Sequence, residues 1–379
     1  MQEAKVLIIG ASVAGLASAG SLHKAGIDYL IIEKHDQVAT PWRNHYERLH
    51  LHTNKSLSAL PYKKFSTEVE RYPARLKVVE YLDSYQKEMN IHPIFNVEAT
   101  SVRKDGEHWI TETTKGTIKS KYVIIATGPF GKARGINFNG QETFGGSIVH
   151  SSQYKTGKDY KGKKVLVVGF GNSACEIAID LHEQGAFPSM AVRAAVNVLP
   201  RDIMGIPILQ LGLLMAPLPP KLADKLNAPL MNLLTGDITK LGLKKLPYGP
   251  LEQIQKDQTV PLLDIGTLKL IKQGHIKIFE NIEKIDRNTV TFTDGKNDKF
   301  DSIVAAIGYD KGFEGNFIKV EKSRFEDLKV SVDNQKYFGK DGLYFCGFWI
   351  SPTGQIREIS LDAQKIVKHI KNSEKSNYT

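Results

Sequence analysis

The sequence predicts an α/β protein built on two Rossmann-like dinucleotide-binding domains, the second inserted into the first. Three observations carry this. Lys5-Val6-Leu7-Ile8-Ile9 runs into Gly10-Ala11-Ser12-Val13-Ala14-Gly15, a buried-strand pattern followed by a glycine turn. Lys164-Val165-Leu166-Val167-Val168 runs into Gly169-Phe170-Gly171-Asn172-Ser173-Ala174 in the same way. Two further strand-to-glycine segments, Tyr122–Gly128 and Ser302–Gly308, flank the second unit and read as the crossings into and out of it.

Taken in order, the first turn opens a helix over Leu16–Ala25, closed by Gly26, and a strand Tyr29–Ile32 ending at Glu33. A β-turn-α-β unit of this kind aims helix N-terminal amides at a pyrophosphate, and an acid at the end of the second strand grips ribose hydroxyls. Ser12 stands where the middle glycine is usual, so its side chain must point away from the ligand. Leu76, Val79, Leu82, Tyr85 and Met89 predict a core-packed helix over Pro73–Asn90. The second turn opens a helix over Cys175–Gln184, then a strand Met190–Val192 ending at Arg193. Glu33 follows Gly10 by 23 residues and Arg193 follows Gly169 by 24. An acid repels a 2′-phosphate and an arginine pairs with it, so the first turn suits a dinucleotide with a free 2′-hydroxyl and the second suits NADPH. A mere surface charge is the alternative reading of Arg193. A chain holding both passes a hydride between them, which makes FAD the expected first ligand. Late in the chain come a buried strand at Gly342–Gly347 and a helix over Ile359–Ile370. Thr127, Gly128, Gly347 and Gln355 complete the FAD-side candidates, and Gly171, Asn172 and Ser173 the NADPH-side ones. The expected partition is 1–155 and 305–379 for FAD, and 156–304 for NADPH with a pocket region near 203–248.

Composition narrows the function classes. In 379 residues, 41% hydrophobic and 24% charged residues exclude a disordered chain. The net charge of +10 is dispersed, which favours phosphate ligands over a nucleic-acid surface. Cys175 and Cys346 lack the C-x-x-C spacing of a dithiol oxidoreductase. His45, His50 and His52 lack the cysteines or acids that would complete a metal site. Ile203–Pro220 is free of charge but broken by four prolines and two glycines, so it reads as a buried helix or pocket wall, with a weak peripheral membrane contact as the alternative. No secretory leader is read, and a cytoplasmic protein is expected.

Phe144-Gly145-Gly146-Ser147-Ile148-Val149-His150-Ser151-Ser152-Gln153-Tyr154 matches F-x-G-x-x-x-H-x-x-x-Y. On this motif, placed just before the second glycine turn, the chain resembles the flavin-containing monooxygenases. Arg48–His52, Val198–Arg201, Leu263–Gly266 and Ser360–Ala363 are similar to the plant YUCCA-type subgroup and its short bacterial relatives. Baeyer–Villiger enzymes end the motif with Trp, whereas Tyr154 ends it here. The resemblance implies FAD, NADPH and O₂, a C4a-hydroperoxyflavin as the oxygenating species, and a small organic substrate. The YUCCA-like match suggests oxidative decarboxylation of an aryl pyruvate such as indole-3-pyruvate. N- or S-oxygenation of amines or thioethers is the nearest rival, and an NADPH oxidase or a non-enzymatic nucleotide sensor is a further one. It also places Asn54 and Trp42 beside the flavin, with Asn54 and Tyr154 as candidate catalytic residues. A turn-capping Asn and a core aromatic are the alternatives for Asn54 and Trp42. His150 is as much a structural as a catalytic candidate. A homodimer is compatible with the sequence.

Overall fold

The computed structural model describes residues 1–128, 131–215, 217–257, 259–310, 318–319, 340–348, 351 and 353–376. Much of the expected 305–379 segment, and residue 216 of the apolar stretch, therefore lie outside the described residues. The principal elements are β1 (Gln2–Ile9), α1 (Val13–Ala25), β2 (Tyr29–Ile32), α2 (Arg75–Glu88), β3 (Ala99–Asp105), β4 (His108–Thr113), β5 (Gly116–Ile125), β6 (Ser147–His150), β7 (Lys164–Val168), α3 (Asn172–Glu183), β8 (Phe187–Ala191), α4 (Ile208–Met215), α5 (Pro220–Thr235), β9 (Leu262–Asp264), β10 (Lys277–Phe279), β11 (Ser302–Ala305), β12 (Leu343–Phe345) and α6 (Gln355–Ser376). They form two compact units: 1–44, 53–132 and 310–379 in the first, and 45–52 with 133–309 in the second.

In the first unit the sheet order is β2-β1-β5-β4-β3. β1 is parallel to β2 and β5, with Val6 opposite Tyr29 and Tyr122. β5 changes partner along its length. Its first half pairs antiparallel with β4, and its second half pairs parallel with β12, Leu343 opposite Val123. Parallel strands covered on both faces need unbroken apolar runs. Leu7, Val123, Leu343 and Phe345 accordingly lie fully inside a core shared with Trp109. α1 and α6 pack together on this sheet. Gly20 of α1 makes room for α2, since a Cβ there would stand 2.1 Å from the Tyr85 hydroxyl.

The second unit holds an all-parallel sheet in the order β10-β8-β7-β11-β6. Its core gathers Val165, Val167, Ile177, Leu181, Met190 and Val304.

Several expectations shift. α1, α3 and α6 each start about a turn earlier than apolar periodicity suggests, because small and polar residues open them at the turn itself. Leu76 is exposed, and α2 buries Val78, Val79, Tyr81, Leu82 and Tyr85 instead. The apolar stretch is no buried helix. It is a two-residue hairpin, Asp202–Ile203 with Ile206–Pro207, followed by α4, whose Ile208–Leu213 are only half-buried, while Met204 is 98% exposed. No helix among the described residues is long and apolar enough to cross a membrane.

Candidate active site

At the first turn Gly10 takes φ +103°, and a Cβ there would meet the Ala126 carbonyl oxygen at 2.9 Å. A Cβ on Gly15 would lie 1.8 Å from the Gly10 carbonyl oxygen, so only glycine lets α1 start this close to the strand. The Ser12 side chain makes no capping bond, and the first turn of α1 carries no acid. Leu16 is the first amide bonded back, to Ser12. The amides ahead of it lack helical partners and carry the positive end of the helix dipole. This is a cradle for an anion. The Gly10 amide donates to Ile32 at 2.8 Å, and the Glu33 carboxylate accepts the amides of Ala11 at 2.7 Å and His35 at 3.0 Å. Ala126 donates to Ile9 at 2.9 Å, which sets Thr127 and Gly128 just beyond the end of β5. Ala39 donates to Ala11 at 3.2 Å, carrying the short helix Thr40–Asn44 and Trp42 to the same turn.

The C-terminal candidates join this cluster. Gly347 sits between α1 and α6: a Cβ there would stand 3.0 Å from Ile359 and 3.5 Å from Ala14. Gln355 at the start of α6 donates to the Gly347 carbonyl at 3.5 Å. A Cβ on Gly354 would lie 3.1 Å from the Thr53 methyl, so the Thr53–Asn54 turn abuts the start of α6. Asn54 is buried, and its Oδ1 accepts from the Leu57 amide at 3.0 Å and from Ser56 Oγ at 2.7 Å. It caps the short helical turn Lys55–Leu57.

The second turn repeats the first. Gly169 takes φ +123°, and a Cβ there would stand 2.6 Å from the Ala306 carbonyl oxygen. Gly171 caps α3 with no side chain, and the first turn again has no acid. The Asn172 side chain accepts the Leu263 amide at 3.1 Å, fastening β9 to the turn, while Ser173 lies beside the Tyr46 phenol. Gly169 donates to Ala191 as Gly10 does to Ile32. Val192 is therefore the structural counterpart of Glu33, and Arg193 lies one residue beyond, as the spacings of 23 and 24 imply. Arg193 is exposed and has no partner among the described residues.

The motif residues take packed positions in the second unit. A Cβ on Gly146 would stand 2.1 Å from the Asp301 carbonyl oxygen, so this glycine lets the chain enter β6 against β11. His150 is buried, with Nε2 3.0 Å from the Gly308 carbonyl and its ring edge-on to Tyr309. Tyr154, expected to be catalytic, is 1% exposed in the core of the second unit. Its hydroxyl donates to Asp180 at 2.5 Å, and burial together with that carboxylate pushes the phenol far up. The enclosed hydroxyl ties the motif's last residue to α3.

Sequence reasoning missed a strap. Residues 45–52 lie along α3: Arg48 makes a two-pronged ion pair with Glu183 at 2.8 and 2.9 Å, and His52 Nε2 lies 2.6 Å from Glu176. The run of His and Arg in Arg48–His52 was the available signal, but partners 124 and 135 residues away were not visible in it. Cys175 and Cys346 are both buried free thiols in different units, and burial raises both far above the ordinary thiol range. A dithiol–disulfide cycle has no basis in this pair.

Comparison with known proteins agrees with this geometry. Residues 7–199, just over half the chain, match the family model described as pyridine nucleotide-disulphide oxidoreductase. The probable indole-3-pyruvate monooxygenase YUCCA3 of Arabidopsis thaliana is 36% identical over 381 residues, covering 97% of this chain and 86% of the relative. The indole-3-pyruvate monooxygenase YUCCA6 of the same plant is 35% identical over 376 residues, covering 96% and 89%. Among solved structures, a flavin-containing monooxygenase from Stenotrophomonas maltophilia shares the fold with a TM-score of 0.70 at 18% identity, covering 98% of this chain and 99% of that one. Two uncapped helix starts, each held against a strand end by glycine, and no dithiol are what a flavin- and nicotinamide-binding oxygenase needs, and the chain belongs to the pyridine nucleotide-disulphide oxidoreductase family and, within it, to the FAD- and NADPH-dependent monooxygenases of the YUCCA type.

Proposed function

We propose that the protein oxidatively decarboxylates an aryl pyruvate, with indole-3-pyruvate as the first candidate. The observation that carries this reading is the identity of about one residue in three, over nearly the whole chain, to relatives named indole-3-pyruvate monooxygenases. The reaction balances as 2-oxo acid, NADPH, H⁺ and O₂ giving the acid one carbon shorter, CO₂, NADP⁺ and water, with one oxygen atom entering the new carboxylate. Bound FAD supplies the oxygen chemistry and NADPH the hydride.

The chain's own residues supply binding and position. The first turn, Gly10, Ser12 and Gly15, takes the FAD pyrophosphate on the free amides of α1, with Glu33 toward the ribose. Thr127, Gly128, Gly347, Gln355 and Trp42 border the same ligand, and Asn54 holds the turn that faces it. The second turn, Gly169, Gly171, Asn172 and Ser173, takes the NADPH pyrophosphate, and the unpartnered Arg193 meets its 2′-phosphate. Unpaired, buried cysteines fit a reducing, cytoplasmic setting.

The test is oxygen uptake by the FAD-loaded protein with NADPH, coupled to product identification, on indole-3-pyruvate, trimethylamine and a thioether. Equimolar CO₂ and the shortened acid are expected. N-oxide or sulfoxide without decarboxylation would replace this reading with amine or thioether oxygenation. NADPH consumption yielding only hydrogen peroxide on all three would replace it with an NADPH oxidase.

A further inference from the structure

α3, the helix of the second turn, carries three acids on one side: Glu176, Asp180 and Glu183. A dinucleotide at its N-terminus brings further negative charge. Two of the acids are well answered. Glu183 has the two-pronged Arg48, and Asp180 accepts from the Tyr154 hydroxyl and from the Gly157 amide at 2.8 Å. Glu176 is the one closest to the phosphate end, five residues into the helix, or about 6 Å along its axis. It is 1% exposed; its Oε1 lies 2.6 Å from Nε2 of His52, itself 17% exposed in its side chain, and the Tyr46 phenol also bonds to it. The second oxygen, Oε2, and the far ring nitrogen of His52, Nδ1, are buried with no hydrogen-bond partner among the described residues. The other charged or titratable neighbours are Tyr46 and Arg48 from the strap, Asp180 on α3 itself, and Cys175 with Asp264 behind it. Arg48 is already committed to Glu183. Without His52, the Glu176 carboxylate would be left buried with the Tyr46 phenol as its near donor, behind the amides that must attract a pyrophosphate.

We propose that His52, through its ring nitrogen on the buried Glu176 carboxylate, is the partner that lets the α3 N-terminus accept a dinucleotide's phosphates. It is a positioning residue that never touches the reacting atoms. The proposal rests on NADPH binding at the second turn.

The experiment is calorimetric titration of the FAD-loaded protein with NADP⁺, comparing wild type, His52→Ala, Glu176→Gln and the double variant. FAD absorbance and thermal unfolding verify that each is folded. Leaving the carboxylate without this donor weakens NADP⁺ about 10-fold in His52→Ala. Adding Glu176→Gln to it restores binding to about wild type, because the carboxylate that needed the donor is gone. Glu176→Gln alone, which keeps the side chain's volume, binds as tightly as wild type or tighter. A hole left by a merely structural histidine would not be filled by an amide on another residue. Unchanged affinity in His52→Ala, or a double variant as weak as the single, overturns the proposal while leaving the cofactor reading intact. If His52→Ala does not fold, weaker binding by Glu176→Gln overturns it. A wild-type protein that does not bind NADP⁺ removes the cofactor reading, and the proposal with it.

Discussion

The Glu33 carboxylate accepts the amide of Ala11 at 2.7 Å, so the end of β2 and the first glycine turn are one hydrogen-bonded piece. Its other oxygen takes the His35 amide at 3.0 Å. Glu33→Ala removes two charge-assisted bonds, each worth about 1.5–3 kcal/mol before solvent exposure reduces it. The turn loosens, and the variant should lose FAD on gel filtration while the wild type keeps it. The ratio of flavin to protein absorbance measures this.

Arg193 has no partner to lose among the described residues, so its replacement isolates the ligand contact. Arg193→Ala should weaken NADPH by about 10- to 150-fold, as the loss of one charge-assisted contact implies. NADH should change little. Equal weakening of both would show that Arg193 supports the fold instead.

Tyr154→Phe tests the reassignment of the motif. The change strips Asp180 of one of two donors in a buried place and should cost about 1–3 kcal/mol of stability. Thermal unfolding reads the loss. Turnover per bound flavin should hold, whereas a catalytic tyrosine would take activity with it at unchanged stability.

Asn54 has an occupied oxygen, and its amide is the group that could face a ligand. Asn54→Asp keeps the acceptor for Leu57 and Ser56 but gives up the amide donor. It should retain stability and release more hydrogen peroxide per NADPH consumed. Asn54→Ala should do the same and also lose about 1 kcal/mol of cap energy. Peroxide assays beside melting curves separate the two effects.

Acid should loosen the C-terminal helix. Glu374 on α6 meets Lys5 on β1 at 2.7 Å, and Lys121 and Tyr122 on β5 at 2.8 Å each. Burial alone would raise its carboxyl, but these donors outweigh burial and hold it at about 2. A depressed acid stabilises the fold above its unfolded value near 4.5, and that contribution, about 1 kcal/mol once solvent screening is allowed for, is lost as pH falls from about 5 to 2. Glu374→Gln should be less stable at neutral pH and show a flatter decline over the same range in urea titrations.

Both nucleotide turns could be read directly from sequence, because strand, glycine and helix are neighbours in the chain. Glu33 and Arg193 stand out for the same reason, and the matching bonds of Gly10 and Gly169 bear out the one-residue offset that their spacings imply. The burial of Tyr154 was not legible, because it depends on partners such as Asp180 that only folding supplies. The strap was invisible for the reverse reason: Arg48 and His52 show no role until Glu183 and Glu176 arrive from far along the chain.

The divided allegiance of β5 also sets a timetable. Leu343 pairs with Val123 across 220 residues, and all of the second unit but residues 45–52 lies in that interval. On the ribosome, residues 133–309 emerge complete while the first sheet still lacks β12 and its covering helix α6. Until then the apolar edge of β5 near Ile125 stays open, a template for unwanted strand pairing. The second unit can mature first, and the first closes last around FAD. Flavin supply during synthesis should therefore govern how much of the chain reaches its native form rather than an aggregate.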